Sequence, residues 1–269
     1  MVHNFPEIEA AITYIKLNLH EEITLHQVAN HVAYSPYHFS RIFKDQIGIP
    51  PHYYLAALRL QRAKELLIQT NLPIRDIGME IGQQSLGTFT TRFTQKVGVS
   101  PSVFRHSTTD VTQHLQQIQC KNDITLNACN RNTIQAVRGK ITSPYPINGI
   151  ILVGLFSKPI PEGLPLYGTI LESEGEFVFK NVKAGTYYLL ATTVNMGMNS
   201  SEILLTESTL RAKLKQPIIV QPHQESPQLN VTLRPPLIDD PPVLISIAVL
   251  MQQYLSSNIE DDNLEEISD

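Results

Sequence analysis

Cysteine is scarce in this chain, which has two cysteines among 269 residues. Cys120 and Cys129 have no CxxC spacing and no neighbouring histidine cluster, so a disulfide framework and a zinc site are not expected to organise the fold. Free thiols in a reducing cytoplasm are the expectation, and a redox switch is the less favoured alternative.

Long apolar runs and targeting signals are also missing. The apolar segment 243–255 is shorter than the roughly twenty residues that a membrane span requires. Residues 1–9 contain an early acidic residue and no apolar run, so no signal peptide is expected. We therefore predict a cytoplasmic protein without a membrane partner.

Sequence motifs for catalysis are absent as well, since the chain has no phosphate-binding loop, no metal-ligand cluster and no nucleophile elbow. Seven of the nine histidines fall within residues 1–106, but their scattered positions favour surface and packing roles over a metal site. The sequence predicts a protein that is not an enzyme, with no catalytic residues, no metal and no cofactor.

What the sequence does contain is a repeat with an offset of fifty residues. Segments 35–51 and 85–101 share five residue types at matching positions, and these are Ser35, Phe39, Phe43, Gly48 and Pro51, then Ser85, Phe89, Phe93, Gly98 and Pro101. Because a repeat this short cannot bury a core alone, two copies predict two equivalent small modules, each presenting one helix.

Each copy has the signals of a helix-turn-helix. In the first, Thr24 and Gln27 form a capping box, Ser35 caps a second helix and Gly48 ends it. In the second, isoleucines stripe a short helix, residues 82–84 form the turn and Ser85 caps the next helix; the isoleucines are Ile74, Ile77 and Ile81.

A connecting helix is predicted between the copies, from Pro51 to about Thr70. Some twenty residues span roughly 30 Å, close to the roughly 34 Å between major-groove faces one DNA turn apart. The phenylalanines of each copy face inward at helical spacing, and the outward residues are free for another surface. The outward set is Tyr37, Ser40, Arg41 and Lys44 in the first copy and Leu86, Gly87, Thr90, Thr91 and Arg92 in the second.

Segment 35–44, together with Arg59-Leu60, Ala63, Leu66-Leu67, Gly98-Val99-Ser100-Pro101 and Phe104-Arg105, resembles the AraC/XylS-type DNA-binding domain over about residues 5–106. The resemblance implies a monomeric double helix-turn-helix that binds double-stranded DNA. It also implies a first recognition helix that uses Tyr37, Ser40 and Arg41, and a second that uses Leu86, Gly87, Thr90 and Thr91.

The second module departs from the family pattern at Gly78, where alanine is usual, and at Gln83, where an aromatic residue is usual. Glycine inside a helix costs up to about 1 kcal/mol, so we expect a less rigid second module or another element packed against it. The domain also comes first in this sequence, whereas most members carry it last.

The role of Arg41 has alternatives. An exposed arginine four residues before Asp45 can form a solvated surface pair, and on a major-groove helix it can contact a base or a phosphate. Leu86 can contact a thymine methyl, and Gly87 can permit close backbone approach.

Charge gives modest support for DNA binding. Residues 1–106 carry ten Lys and Arg against eight Asp and Glu, and residues 107–269 carry eleven against seventeen. The mildly basic N-terminal region predicts a moderate, salt-dependent affinity for DNA if its outward cations reach phosphates. These cations are Arg41, Lys44, Arg92, Lys96 and Arg105.

The second half differs in composition. Residues 107–132 are polar and predict a linker or frayed helix, and residues 133–235 contain short β-rich runs that predict an all-β sandwich. The runs are Ile134–Lys140, Gly149–Phe156, Glu176–Lys180, Gly185–Val194, Pro217–Gln221 and Gln228–Arg234.

Segment 175–191 carries alternating Phe177 and Phe179, a turn residue Val182 and a strand-opening Gly185. With Val137-Arg138-Gly139-Lys140, it resembles the carboxypeptidase-regulatory-like, transthyretin-like sandwich. The resemblance implies a non-catalytic packing or binding module without specifying its ligand.

Residues 236–258 predict a Pro-rich linker and an amphipathic helix, with an apolar stripe of Leu244, Ile247, Ala248, Met251 and Leu255. A docking or dimer helix and plain core packing are both open for it. Residues 259–269 are acidic and predict a disordered tail.

Two hypotheses follow for function. The favoured one is a transcription regulator whose second half senses a small-molecule or protein effector, forms a homodimer or contacts a partner. The alternative is a ligand-binding sandwich protein with a degenerate helical adaptor, which only Gly78 and Gln83 support. The predicted fold is multidomain, an all-α double helix-turn-helix followed by an all-β sandwich and a short C-terminal helix.

Overall fold

The computed structural model describes residues 6–83, 85–120, 136–214, 216–222 and 228–265. Eight helices precede the β-rich region: α1 (Pro6–Leu17), α2 (Leu25–His31), α3 (Pro36–Ile47), α4 (Pro51–Gln69), α5 (Ile74–Glu80), α6 (Leu86–Val97), α7 (Pro101–His106) and α8 (Val111–Cys120). Cys129, residues 121–132 of the expected linker and Gln84 of the expected turn lie outside the described residues.

The predicted caps of the first module are present. The Thr24 side chain and the N3 residue Gln27 form the capping box of α2. The Ser35 hydroxyl accepts from the backbone N–H of His38 at 3.3 Å, and Gly48 ends α3 with a φ of 88°. That left-handed conformation suits glycine because it has no Cβ.

The second module repeats this construction. The Ser85 hydroxyl accepts from the backbone N–H of Thr88 at 3.4 Å, and Gly98 ends α6 with a φ of 93°. The aromatic pairs match as well, with ring centroids 5.5 Å apart for Phe39–Phe43 and 5.7 Å apart for Phe89–Phe93. Helices α3 and α6 are therefore capped and packed in the same way.

Gly78 has a packing reason that the sequence did not show. It is buried in α5, and a Cβ built there would lie 3.3 Å from a ring carbon of Phe89. Such a contact is tighter than side chains normally accept, so the glycine lets α5 approach the aromatic core of α6 closely. The departure from alanine is thus compatible with a well-packed second module.

The β-rich region contains strands β1 (Val137–Thr142), β2 (Gly149–Phe156), β3 (Tyr167–Leu171), β4 (Gly175–Phe179), β5 (Gly185–Asn195), β6 (Arg211–Lys213), β7 (Ile218–Val220) and β8 (Leu229–Thr232), with α9 (Ser200–Leu205) inserted. One sheet has the order β4-β1-β8. The other has the order β3-β2-β5-β6, and β7 pairs with β5. Only the β1–β8 pairing among these is parallel.

Strand β2 is buried on both faces. Ile151, Val153 and Leu155 belong to a core that also contains Phe177 and Phe179 of the other sheet. The intervening Ile150, Leu152 and Phe156 belong to the core of the helical half, which is one continuous cluster with the helices. Strand β2 therefore separates the two cores, which explains its unbroken apolar sequence.

Strands β3 and β6 and helix α9 were not predicted from the sequence. The stretch from Ser107, expected as a linker or frayed helix, contains α8, whose Val111, Leu115 and Ile118 are buried. Helix α8 packs against α9 and against the last helix, α10 (Ile247–Glu265). This polar segment is therefore helical from Val111 to Cys120, and Val111, Leu115 and Ile118 pack it against the core.

Helix α10 resolves one open alternative and corrects one expectation. Leu244, Ile247, Ala248, Met251 and Leu255 are all buried in the chain's own core, so this stripe serves core packing. The helix continues to Glu265, so residues 259–265 of the expected disordered tail are helical, and residues 266–269 lie outside the described residues. Since 247–265 contains no proline or glycine, nothing in the sequence stops the helix earlier.

Within the described ranges, no helix is long and apolar enough to cross a membrane.

Candidate nucleic-acid interface

The first recognition helix, α3, presents its predicted outward residues to solvent. Tyr37 is 82% exposed, and Arg41 and Lys44 are also exposed, whereas Ser40 is half-buried. Phe39 and Phe43 on the opposite face are fully buried. The arrangement separates a packing face from a polar face on one short helix.

The Arg41–Asp45 pair, one of the alternatives for Arg41, does not form. No carboxylate among the described residues lies within 4 Å of the Arg41 guanidinium. Its donors are therefore not used by a described carboxylate, and the geometry of a guanidinium suits either guanine or phosphate.

The second recognition helix, α6, is less charged. Leu86 is 47% exposed, Gly87, Thr91 and Arg92 are exposed, and Thr90 is half-buried. Arg92 Nη1 donates to the side-chain oxygen of Gln83 at 3.2 Å. Gln83 therefore ties the turn to α6 through a hydrogen bond where the family pattern has an aromatic contact.

Helix α4 lies between the two modules. Its 19 residues span about 28 Å at 1.5 Å per residue. Tyr54 near its start is fully buried and packs edge-on against Phe43, with ring centroids 5.4 Å apart. Arg105 of α7 donates to the carbonyls of Leu67 and Leu72 at the other end of α4. Both modules are thus anchored on the same helix.

Comparison with known proteins shows what this helical region is similar to. A family model described as a helix-turn-helix domain matches residues 28–107. The chain is 36% identical over 98 residues to an uncharacterized HTH-type transcriptional regulator, YobQ, of Bacillus subtilis, covering 36% of this chain and 41% of that protein. It is 32% identical over 102 residues to the HTH-type transcriptional activator AarP of Providencia stuartii, covering 38% of this chain and 76% of AarP.

The chain belongs to the AraC/XylS family of helix-turn-helix transcription regulators.

One similar solved structure is that of an AraC-type transcriptional regulator from Chromobacterium violaceum, 29% identical, covering 38% of this chain and 91% of that chain with a TM-score of 0.37. The chain spans about two fifths of the length of YobQ. The family match ends at residue 107, so the β-rich region is outside it.

In this AraC/XylS-type chain, the β-rich half binds the C-terminal ends of both recognition helices. Lys213 Nζ donates to the carbonyl of Ile47, the last residue of α3, at 2.9 Å. The N–H of Ser246 donates to Val97, the last residue of α6, at 2.9 Å, and the N–H of Gly163 donates to Lys96 at 2.7 Å. Carbonyls that a helix end leaves unpaired are thereby satisfied by another part of the chain.

Helix α4 carries further contacts to that half. Lys64 is fully buried and donates to the carbonyl of Val243 at 2.8 Å, and Gln61 donates to Leu205 at 3.3 Å. The burial of Lys64 was not predicted from the sequence. Lys64 lies four residues after Leu60 and three before Leu67, which are both buried, and this helical spacing was the signal for its burial.

Glu162 forms the most connected polar cluster between the halves. Its carboxylate accepts from Lys96 at 2.5 Å, from Lys158 at 2.8 Å and from the Tyr53 hydroxyl. Burial alone would raise the pKa of Glu162, but the hydrogen bonds from Lys158, Lys96 and Tyr53 lower it overall. Burial and the bond to Glu162 raise the pKa of Tyr53 to about 12.

We expect Glu162→Gln to lower the free energy of unfolding by about 1–3 kcal/mol at pH 7, because the amide weakens three hydrogen bonds to a side chain that is 5% exposed. Glu172→Gln, at an exposed position, is the matched control and should change stability by less than about 0.5 kcal/mol. Urea unfolding of the full chain measures both. Because the pKa of Glu162 is lowered by folding, its contribution is lost as the pH falls through that pKa. Equal stability of the two variants would contradict the role given to Glu162.

Proposed function

We propose that this protein is a sequence-specific DNA-binding transcription regulator that places α3 and α6 in successive major grooves. The observation that carries this proposal is that α3 and α6 are built in the same way. Both are capped helices of 12 residues that present a polar face, and α4 joins the two modules. The length of α4, about 28 Å, is compatible with adjacent groove faces about 34 Å apart.

Base reading is proposed for the outward residues of both helices, which are Tyr37, Ser40, Arg41, Leu86, Gly87, Thr90 and Thr91. Lys44 is proposed to contact phosphate, since its exposed ammonium lies on the last turn of α3. Arg92 is proposed to contact DNA while held by Gln83, whose hydrogen bond orients the guanidinium. A salt-dependent affinity follows from the phosphate contacts.

We infer that the domains divide near residue 107 and that the β-rich half is a sandwich of the carboxypeptidase-regulatory-like type. A core shared by both sheets supports the inference, since Phe177, Phe179 and Val182 occupy it together with Leu189 of the facing sheet. Its contacts with both recognition helices favour a role in sensing or in contact with a partner. A homodimer would need a surface other than the buried stripe of α10.

Substituting Arg41→Ala tests the DNA proposal. Full-length protein is incubated with a pool of random duplexes, and bound DNA is selected and sequenced. We expect enrichment of two short elements about one helical turn apart, and a loss of affinity of about 5- to 150-fold in the variant, the range for one bidentate base contact. The matched control is Arg62→Ala, an exposed cation on α4 that pairs with Glu65.

Arg62→Ala should leave the selected elements and the affinity nearly unchanged. If neither wild-type nor control protein enriches any sequence, the regulator proposal fails. If Arg41→Ala and Arg62→Ala weaken binding equally, α3 does not read bases.

A further inference from the structure

A cavity lies between the second sheet and α10, outside the DNA-facing surfaces. Its volume is about 330 Å³, at the lower end of the range of about 300–1,000 Å³ typical of ligand pockets. Leu152, Ile170 and Leu190 form the sheet wall, and Ile247 and Leu250 form the helix wall. The size and lining suit a small molecule that is mostly hydrocarbon.

Part of the lining of this cavity is charged. The ionisable acids and bases among its described lining residues, tyrosine aside, are Arg211, Lys213 and Asp240. Asp240 already accepts two hydrogen bonds from Arg234, each 2.7 Å long. The Asp240 carboxylate is therefore already paired with Arg234, which does not line the cavity.

The two cations of the lining have main-chain partners instead of carboxylates. Arg211 Nη2 donates to the carbonyl of Thr206 at 2.5 Å, and Lys213 donates to that of Ile47 at 2.9 Å. No described carboxylate lies within 4 Å of either cation. Arg211 Nε is buried and has no hydrogen-bond partner among the described residues.

An anion beside Arg211 and Lys213 would balance their buried positive charges. Burial lowers the pKa of Arg211 and that of Lys213, which means that their surroundings disfavour positive charge. A buried charge is stabilised when a counter-charge reaches it with good hydrogen-bond geometry. The Arg211 guanidinium and the Lys213 ammonium each have N–H donors beyond their main-chain bonds, and a carboxylate can accept from such donors.

We propose that this cavity is a binding site for a small apolar carboxylate, with the hydrocarbon between the sheet and α10 and the carboxylate at Arg211 and Lys213. The site does not overlap the proposed DNA contacts, since none of the outward residues of α3 or α6 lines it.

The walls of the site also hold the recognition helices. Lys213 binds the end of α3, and Ile245, another lining residue, precedes Ser246, whose N–H binds the end of α6. The Lys213 ammonium has three N–H donors, so one of them can bind a carboxylate while another binds the Ile47 carbonyl. The proposed ligand therefore shares a side chain with the C-terminal end of α3, and any effect on DNA affinity must be reciprocal.

Calorimetric titration of the full chain tests the site, with octanoate as the probe and 1-octanol as its uncharged counterpart. We expect saturable binding of one octanoate per chain and at least tenfold weaker binding of the alcohol. Arg211→Gln should weaken octanoate binding at least tenfold, and Lys180→Gln, which removes an exposed lysine of the same half, should leave it unchanged.

A second variant keeps the test decisive if Arg211→Gln fails to fold. Leu250→Trp fills the helix side of the cavity without altering its charges, and it should abolish octanoate binding while circular dichroism stays native. Absence of saturable octanoate binding to the wild type overturns the proposal. Equal binding of octanoate and octanol overturns it as well, and so does undiminished binding to Leu250→Trp. DNA affinity is measured separately, so failure of the regulator proposal leaves these outcomes distinguishable.

Discussion

Replacing Phe93 by alanine is expected to lower the free energy of unfolding by about 3–5 kcal/mol, the usual range for truncating a buried phenylalanine. The side chain is fully buried in α6 and packs edge-on against Phe89 and Phe104, with both centroid distances 5.7 Å. The truncation removes apolar area and leaves a cavity between α6 and α7. Urea unfolding monitored by circular dichroism measures the loss.

Val103→Ala provides the matched control for this variant. Val103 precedes Phe104 on the same helix but is 53% exposed, so its truncation should change stability by less than about 0.5 kcal/mol. A loss below about 1 kcal/mol in Phe93→Ala would show that the aromatic cluster of the second module is not tightly packed.

The second large effect concerns pH. Burial lowers the pKa of Lys64 to about 7, although Glu207 and Glu65 nearby act to raise it and Arg211 adds to the lowering. Between that value and the ordinary pKa of 10.5, the unfolded chain binds a proton that the folded chain does not. Stability therefore increases with pH over this range, with a contribution of up to about 1.4 kcal/mol per pH unit.

Lys64→Met is expected to remove that contribution. Unfolding by urea at pH 7, 8 and 9 should give a flatter dependence on pH than the wild type shows, while Lys180→Met, at an exposed position, should retain the wild-type slope. The comparison cancels groups that titrate in all three proteins. If the wild type and Lys64→Met have the same slope, Lys64 keeps an ordinary pKa in the folded protein.

The helical half could be predicted from the sequence because its signals are local. A capping serine, a glycine past the helix end and phenylalanines at helical spacing each act within about fifteen residues, and Ser35, Gly48 and the Phe39–Phe43 pair all have the predicted roles. Most strands were found from similar local runs, but β3 was missed although it contains Tyr167, Thr169 and Ile170. The exposure of Tyr37 and Leu86 follows from the same helical period.

What could not be predicted depends on contacts between distant residues. Strand β6 has three residues and forms because Ala212 pairs with Ala191. Neither alanine predicts a strand by itself. The burial of Lys64 requires Val243, which lies 179 positions away. From the sequence, Gly78 was expected to make the second module less rigid. The close approach of Phe89, which explains the glycine, exists only when α5 and α6 are packed together.

The attachment of both recognition helices to one folded body has a consequence for how a promoter would be read. One extra base pair between the two DNA elements shifts the second by about 3.4 Å and turns it by about 35° around the duplex axis. Helices whose ends are fixed at Ile47 and Val97 cannot follow that rotation independently. Either the duplex must twist or one helix loses its groove, so the length of the spacer would carry as much information as the bases on either side of it.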